Sequence, residues 1–237
     1  MIKLFAFLKR KPGLTREEFF HYWRDVHAPL LLDDTAFVRY VRRCVLNLAI
    51  SGSEVPVMTF SDFDGVAEVW FETLADLLEA VGTPGHQEVS ASSTDRFVDR
   101  SSSIRLAAEE SIQFDRGFGK VKFIGLSRRH PEWSHDEWCR YWIDVHGPLA
   151  HGIPEFTRYY GKYVHNYVLP LDDGWLDRQH EYDGIVEEWL ESPGDMARCL
   201  AEPKYLEIVR PDEVKFVDFE RSHMVLAEEH PVYDTQG

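Results

Sequence analysis

The sequence is poor in cysteine and in positive charge, and it has no long apolar run. Three cysteines among 237 residues argue against a disulfide framework or a cysteine-rich zinc site, because both need paired thiols. Lysine and arginine (26) are outnumbered by aspartate and glutamate (41), and the net charge of −15 disfavours nucleic acid and anionic membranes as partners. No segment approaches the ~20 apolar residues of a membrane span. These absences predict a cytoplasmic protein.

Motifs that bind nucleotides or activate a serine are missing as well. The sequence has no Gly-x-Gly-x-x-Gly or other phosphate loop and no Gly-x-Ser-x-Gly elbow, which disfavours nucleotide-dependent and serine-hydrolase functions. His21 and Asp25 have helical spacing for a metal, but Arg140 replaces the histidine at the repeat-related position. Because a metal site needs three or four converging ligands, the sequence predicts neither a metal nor a cofactor.

What the sequence does contain is a duplication. Residues 22–30 read Tyr-Trp-Arg-Asp-Val-His-Ala-Pro-Leu, and residues 141–149 repeat them with only the Arg and Ala positions changed. The same offset of 119 residues brings distant positions into register without a gap, including Lys3 with Lys122, Asn47 with Asn166 and Glu68 with Glu187. One register held along the chain indicates a tandem repeat. We predict two domains, residues 1–116 and 120–237, joined at Gly117-Phe118-Gly119.

Each repeat predicts the order β-α-β-β-α-β. An apolar strand opens it, and a capping box (Thr15 with Glu18, or Ser134 with Glu137) then starts a helix. Two β-branched and aromatic strands, a second helix and a last strand follow. This is the ferredoxin-like order of an α+β fold. Since such a sheet carries helices on one face only, we expect two copies to cover each other's open face as a fused α/β barrel.

The first helix of each repeat contains a proline near its end. Its apolar spacing predicts a helix from about residue 16 to residue 31, but Pro29 falls inside that range. Proline removes a helical hydrogen bond and clashes with the preceding turn. We therefore expect the helix to end or kink near His27, which would place this histidine at a helix C-terminus.

These motifs resemble the EthD family of dimeric α/β-barrel proteins. The resemblance covers both repeats and implies a barrel formed within one chain, with a possible homodimer of the fused unit. It implies cofactor-independent dehydratase, decarboxylase, cyclase or isomerase chemistry on aromatic, polyketide-like or lactone substrates, although the family also has members with no assigned activity. The residues that carry it are Trp23, His27, Pro29, Leu30, Arg39, Tyr40, Asp64, Gly65, Glu68 and Trp70, with Trp142, His146, Pro148, Leu149, Arg158, Tyr159, Asp183, Gly184, Glu187 and Trp189 in the second repeat.

His27 and His146 are the leading candidates for a general acid or base. Imidazole titrates near neutral pH, so it can take and return a proton as an isomerase or a dehydratase requires. The alternative is architectural: each histidine could cap its helix or bond a backbone carbonyl. Asp25 and Asp144 lie about 200° around the helix from their histidines and fit a surface salt bridge or a contact between the two halves better.

The second repeat carries a more polar strand than the first. Period-two spacing predicts one strand face with Tyr159, Tyr163, His165 and Tyr167, where the first repeat has Tyr40, Cys44, Leu46 and Leu48. Such a face suits an aromatic or oxygenated ligand, because rings stack and hydroxyls donate to a carbonyl or enolate. We predict His146 paired with His165, and Tyr159 or Tyr163 as the donor. A tyrosine-rich barrel lining or dimer surface is the alternative.

Two glutamates, Glu68 and Glu187, lie mid-strand between apolar residues. Buried there, a carboxyl group needs a partner and has a raised pKa suited to proton transfer. The alternatives are a solvent-facing strand or an ion pair with Arg39 or Arg158. The predicted catalytic residues are His146, His165, Tyr159 and His27, and the predicted substrate-binding residues are Tyr163, Tyr167, Trp142, Tyr40, Glu187 and Glu68.

Three functions remain open from the sequence. The first is a cofactor-independent lyase or isomerase that moves a proton beside a carbonyl or hydroxyl carbon. Its expected substrate is a small, apolar, oxygenated molecule of aromatic type, such as a catabolite of aromatic compounds. The second is a non-catalytic protein that binds the same ligand in a catabolic pathway. The third is a cofactor-free oxygenase of an electron-rich quinol.

Overall fold

A computed structural model describes residues 1–50, 60–171, 176 and 181–235. In the first half, the chain forms four strands and a series of helices between them. The strands are β1 (Ile2–Leu8), β2 (Val41–Ala49), β3 (Gly65–Phe71) and β4 (Ile104–Asp115); the helices are α1 (Arg16–Tyr22), α2 (Ala28–Leu32), α3 (Thr35–Val38), α4 (Leu74–Gly82), α5 (Pro84–Ser92) and α6 (Thr94–Phe97), with a 3₁₀ turn at Arg100–Ser102.

The second half repeats this order of elements. Its strands are β5 (Val121–Ser127), β6 (Lys162–Val168), β7 (Gly184–Leu190) and β8 (His223–Asp234); its helices are α7 (His135–Tyr141), α8 (Gly147–His151), α9 (Pro154–Thr157), α10 (Pro193–Leu200) and α11 (Arg210–Phe216). Among the described residues no helix is long and apolar enough to cross a membrane. The three cysteines are free.

The eight strands close into one antiparallel barrel, so the fold is α+β as predicted. Their order around the barrel is β1-β3-β2-β8-β5-β7-β6-β4. The two halves meet at β2 with β8 and at β4 with β6. Closure leaves none of the described strands with an exposed edge. The long last strand of each half pairs with a strand of its own half along its first part and with a strand of the other half along its second part.

The barrel interior holds an apolar layer and a charged layer. Rings and aliphatic side chains such as Phe5, Phe7, Ile124 and Leu126 fill the first layer. The second layer, which we call the charged cluster, is also fully or largely buried. It consists of Lys3, Lys122, Glu68, Glu187, Glu110 and Glu229, with Asn47 and Asn166.

Two lysines hold the charged cluster together. Lys122 Nζ lies 2.5 Å from a carboxylate oxygen of both Glu68 and Glu187, and Lys3 Nζ lies 2.5 Å from Glu187. Glu68 and Glu187 thus lie on the same two lysines inside the barrel. Burial, and next the charge of Glu187, raise the pKa of Glu68 to about 8, so this carboxyl group stays protonated at neutral pH. The pair therefore retains one proton between its two carboxyl groups.

The first helix of each half widens into a π turn and then continues. The predicted capping boxes are present at Thr15 and at Ser134. The π turns cover Trp23–His27 and Trp142–His146, and α2 and α8 follow them directly. The expected end near His27 is thus a bulge: the wide turn accommodates the proline ring, which would clash with the carbonyl group four residues back in a regular α-helix.

Candidate active site

A cavity of about 970 Å³ lies in the second half, between the outer face of its strands and its helices. Strand residues, including Phe123, Val186 and Glu188, form its floor. Its remaining walls come from α7, the following π turn, the segments around α9 to α11 and the start of β8, and the first half contributes Phe60 and Ser61. The aromatic lining consists of Phe60, Phe123, Trp138, Trp142, Phe156, Tyr160, Tyr163, Tyr205, Phe216 and Phe219, and the ionisable lining includes His146, Glu188, Arg210 and Glu213. A cavity with mostly aromatic walls and a few ionisable groups is the usual form of a small-molecule site.

His146 enters this cavity from the end of the π turn. The Gly147 N–H donates to the carbonyl oxygen of Trp142, five residues back, and closes the turn. The imidazole ring is 4% exposed and packs against the Phe216 ring, with centroids 5.0 Å apart. Its Nδ1 lies 2.9 Å from Asp212 Oδ2. Because this bond fixes the ring and occupies Nδ1, Nε2 is left to exchange a proton with a ligand.

Asp212 is buried and held by two further donors. The Tyr141 hydroxyl donates to Oδ1 at 2.6 Å, and Lys215 Nζ donates to the same oxygen at 2.8 Å. Burial alone would raise the pKa of Asp212, but the hydrogen bonds from Lys215, Tyr141 and His146 outweigh it and lower the pKa. Asp212 is therefore a carboxylate at neutral pH, able to stabilise an imidazolium ion at His146.

The first half lacks this pair. His27 Nδ1 contacts Ser93 Oγ at 3.0 Å, and Ser93 occupies the position that Asp212 has in the second half. Burial, followed by the nearby His86 and Arg100, lowers the pKa of His27 to about 4. Its ring packs against Phe97 at 4.9 Å between centroids, and Phe97 belongs to an apolar cluster that also contains Cys44, Leu46 and Leu48, with Leu176 from the second half. His27 is thus a packed, neutral histidine.

Glu188 is a second buried carboxyl group of the cavity. It is 6% exposed, and the hydroxyl groups of Tyr163 and Tyr160 hydrogen-bond it. Burial, and next the charge of Glu213, raise its pKa to about 8. Glu213 accepts hydrogen bonds from Tyr205 at 2.9 Å and from Arg210 at 3.2 Å. The cavity therefore combines a histidine backed by a carboxylate with a carboxyl group that retains its proton.

Two of the predicted residues join His146 in the cavity lining, and the others lie elsewhere. Tyr163 and Trp142 line the cavity. His165 lies on the same strand face but is covered by the Trp142 ring at 4.2 Å and by α8, so it does not line the cavity, and burial lowers its pKa far below the usual value. Tyr167 forms an edge contact with Trp142.

The remaining candidates are on the surface or inside the barrel. Tyr159 precedes β6 and donates to Glu202 at 2.5 Å on the surface. Tyr40 accepts a hydrogen bond from Arg39 outside the cavity. Glu68 and Glu187 belong to the charged cluster, where lysines and not arginines pair with them. Adjacent strand residues face opposite sides of a sheet, so Glu187 points into the barrel while Glu188 points to the cavity.

Sequence reasoning did not find Asp212 and Glu188. Both are departures from the repeat, since Ser93 and Val69 occupy the related positions. A search for ionisable residues that replace neutral ones across the duplication would have identified them. Among the described residues, no group of three or more His, Cys, Asp or Glu side chains is arranged to hold a metal ion.

Comparison with known proteins finds the same family model twice. The EthD domain matches residues 11–101 and 130–220. The chain is 30% identical over 105 residues to the dehydratase aurZ of Gibberella zeae, covering 41% of the chain and 69% of that protein. It is 31% identical over 107 residues to the conidial pigment biosynthesis dehydratase EthD of Metarhizium robertsii, covering 41% of the chain and 74% of that protein.

Solved structures share the fold at low sequence identity. An anthrone oxidase-like protein superposes with a TM-score of 0.65 at 9% identity, over 98% of this chain and 92% of the other. A chlorite dismutase variant from Candidatus Nitrospira defluvii superposes with a TM-score of 0.52 at 10% identity, over 96% and 91%. At this identity the likeness concerns the fold alone.

Proposed function

Because the chain belongs to the EthD-domain family, we propose that it is a dehydratase that acts in the cavity of its second half. The substrate class is a neutral, oxygenated ring that becomes aromatic when it loses water. The observation that carries this proposal is the His146–Asp212 pair at the wall of an aromatic cavity. The dehydratase names of two relatives at about 30% identity support the reaction class.

His146 is the base of the proposed reaction. Its Nε2 removes a proton from the carbon next to a ring carbonyl group, and the electron pair of that C–H bond forms the new C=C bond. The C–O bond to the neighbouring hydroxyl group breaks, and this group leaves as water after it receives a proton. Asp212 stabilises the imidazolium ion and keeps the ring in place. The aromatic walls bind the flat product and its precursor by stacking.

The first half serves as a structural partner in this proposal. His27 has a serine in place of the carboxylate and a pKa lowered by burial, and Leu176 packs into its neighbourhood. We further propose that the repeats extend over residues 1–116 and 120–237 as ferredoxin-like units. Strand β4 ends at Asp115 and β5 begins at Val121, with Gly117 and Gly119 between them at φ of 74° and 133°, which supports that boundary.

Proton exchange isolates the first step and needs no leaving group. Tetralone, a bicyclic aryl ketone, can lose the proton next to its carbonyl group but has no hydroxyl group to eliminate. In deuterated buffer we expect the protein to speed deuterium uptake at that carbon, and His146→Gln to reduce the uptake by about 10²–10⁴-fold. The repeat-related variant His27→Gln is the matched control, and its uptake should equal that of the wild type.

The outcomes separate the candidate functions. Equal loss in the two histidine variants would mean that the effect is on folding and would overturn the assignment of His146. If wild-type protein binds tetralone and hydroxylated analogues, as measured by calorimetry, yet accelerates no exchange or water loss, it is a binding protein. Oxygen uptake with quinols would instead identify an oxygenase.

A further inference from the structure

We propose that Glu188 is the general acid of the second-half cavity, the group that protonates the departing hydroxyl group of the substrate. This inference rests on the proposed dehydratase function and adds a residue and a substrate requirement to it. It starts from a position where the two halves of the protein differ: Glu188 occupies the place of Val69 in the first half.

The strand register directs Glu188 to the cavity. In the barrel it lies opposite Phe123 of β5 and opposite Tyr163 of β6. Residues opposite each other on neighbouring strands share a face, and all three side chains line the cavity. The hydroxyl groups of Tyr163 and Tyr160 hydrogen-bond the carboxyl group. Glu188 is therefore held by two phenols at the floor of the site, with the ligand space above it.

Burial and the nearby Glu213 favour the neutral form of Glu188 and outweigh the hydrogen bonds from Tyr163 and Tyr160, which lower its pKa. Among the described residues, no lysine, arginine or histidine lies within salt-bridge distance of its carboxyl group, whereas Glu213, in the same cavity, is paired with Arg210 at 3.2 Å. Burial and the negative charge of Glu213 raise the pKa of Glu188 to about 8. Two carboxyl groups in one site thus have different roles, one charged and paired and the other able to donate a proton.

The fold itself does not require a carboxyl group at this position. The neighbouring Glu187 is a member of the charged cluster, and the first half has the matching Glu68. Glu188 has no such counterpart, and valine fills its place in a half that closes the same barrel. A buried carboxyl group without a counter-charge is costly to keep, so its presence in the cavity that also contains His146 points to chemistry.

The proposed step balances. His146 Nε2 takes the proton of the C–H bond, the C–H electrons form the C=C bond, and the C–O electrons leave with the hydroxyl oxygen. The Glu188 proton bonds to that oxygen, so water departs and Glu188 is left as a carboxylate held by Tyr160 and Tyr163. Solvent then takes the proton from His146 and returns one to Glu188. No oxidant or reductant is involved.

The charges also define the substrate class. A carboxylate or phosphate group on the ligand would lie near Glu188 and Glu213, with Arg210 already paired. The site therefore fits an uncharged hydroxylated ketone. Its hydroxyl group would be directed to the strand floor, and the acidic C–H bond to the helical wall that carries His146.

The first measurement needs no substrate. Infrared spectra of protein labelled with ¹³C-glutamate at neutral pH should contain the carbonyl band of protonated carboxyl groups. We expect Glu188→Gln to remove part of this band, and Glu68→Gln, in the charged cluster, to remove a different part. A band that Glu188→Gln leaves unchanged would show that Glu188 is ionised and would overturn the proposal.

The second measurement compares leaving groups. β-Hydroxytetralone gives naphthol when it loses water, and β-acetoxytetralone gives the same product by losing acetate, which needs no acid. We expect Glu188→Gln to slow naphthol release from the hydroxyl compound by about 10²–10⁴-fold and from the acetoxy compound by less than about tenfold. Glu188→Val introduces the residue that the first half has at this position and should give the same result. It replaces Glu188→Gln in this test if the glutamine variant does not fold.

If Glu188→Gln slowed naphthol release from both compounds equally, the role of Glu188 as an acid would be overturned. Deuterium uptake by tetralone separates this failure from that of the proposed function, because exchange depends on His146 alone. In Glu188→Gln exchange should persist. Suppose that the wild-type protein accelerates deuterium uptake by tetralone, but Glu188→Gln slows naphthol release from the hydroxyl and acetoxy compounds equally. His146 would then still be supported as the base, and Glu188 would be excluded as the acid.

Discussion

His27 and His146 differ in the residue that contacts Nδ1 of the imidazole ring: this residue is Ser93 in the first half and Asp212 in the second. We expect Asp212→Ser, which copies Ser93, to lower kcat for naphthol release by about 10²–10⁴-fold, as removal of an orienting carboxylate does in other histidine-dependent sites. KM should change little, because Asp212 does not line the cavity. Measured kcat and KM for the variant test its role as a positioning residue of His146.

The converse variant provides the control. Ser93→Ala alters the repeat-related site beside His27, and we expect kcat to stay within about twofold of the wild type. A rise in KM for Asp212→Ser with unchanged kcat would assign Asp212 to binding and contradict the positioning role. Circular dichroism should be the same for both variants, since Tyr141 and Lys215 can bond water when the carboxylate is gone.

His146 could be identified from the sequence, but its partner Asp212 could not. His146 belongs to a motif that occurs twice, and a repeat draws attention to what both copies share. Asp212 and Glu188 occur once each, and they lie 66 and 42 residues further along the chain, so no local spacing connects them with His146. His165 showed the opposite problem: period-two spacing gave its strand face correctly, yet the Trp142 ring packs over it.

At the scale of elements, the Asp-Gly pair that opens β3 and β7 explains how the site is built. Asp183 accepts a hydrogen bond from the Arg129 backbone N–H at 2.8 Å and from His135 Nδ1 at 2.9 Å, which ties β7 to the turn before α7. A Cβ atom at Gly184 would lie 2.2 Å from Trp142 and 2.6 Å from Trp138. The glycine is therefore needed for the helix to approach the strand.

We expect Gly184→Ala to lower both stability and activity. The added methyl group must displace Trp142 and Trp138, which line the cavity, so the melting temperature should fall by several degrees for a loss of about 1–3 kcal/mol. Gly65→Ala, where the Cβ atom would meet Trp23 at 2.4 Å, is the matched variant. It should lower the melting temperature similarly but keep the kcat of the folded protein. Equal loss of kcat in both would contradict a site confined to the second half.

Element types and order were predictable because their signals are local. Capping boxes, apolar periods and turn residues each act within a few positions, and they gave the helix at residue 16 and the strands of both halves. The π turn was not predicted, since proline indicates only that a regular helix cannot continue. Whether the chain stops or widens depends on packing against the sheet, which involves residues such as Gly65 and Gly184 that are remote in sequence.

At the scale of the whole molecule, the duplication joins a stable barrel to a single specialised site. The charged cluster follows the repeat, with lysine, glutamate and asparagine matched in both halves. The proposed site departs from the repeat at Asp212, Glu188 and Tyr163. Because one copy still packs its helices on the sheet through an apolar core, the other copy can carry a cavity and buried ionisable groups without opening the barrel.

The proton retained by the charged cluster makes the stability of the barrel dependent on pH. The pKa of Glu68 rises from an ordinary value of 4.5 to about 8 on folding, through burial and the charge of Glu187. Between these values the folded protein binds a proton that the unfolded chain has lost, so the contribution of Glu68 to the free energy of unfolding should fall as pH increases from about 5 to 8. Below pH 4.5 both states hold the proton, and above 8 neither does. His27 and His151, whose pKa values burial lowers to about 4, act in the opposite direction up to about pH 6.5, so we expect the decline of the whole protein between about pH 6.5 and 8.

Chemical denaturation across this range measures the effect, and we expect Glu68→Gln to flatten the decline. Glu188 contributes in the same window because burial raises its pKa to about 8 as well; each single variant should therefore remove part of the slope and the double variant should remove more. Glu17→Gln, an exposed position on α1, is the control and should leave the slope unchanged. If the slope is identical in the wild type and Glu68→Gln, the two cluster glutamates do not share a proton, and both must be charged between Lys3 and Lys122 in the folded barrel.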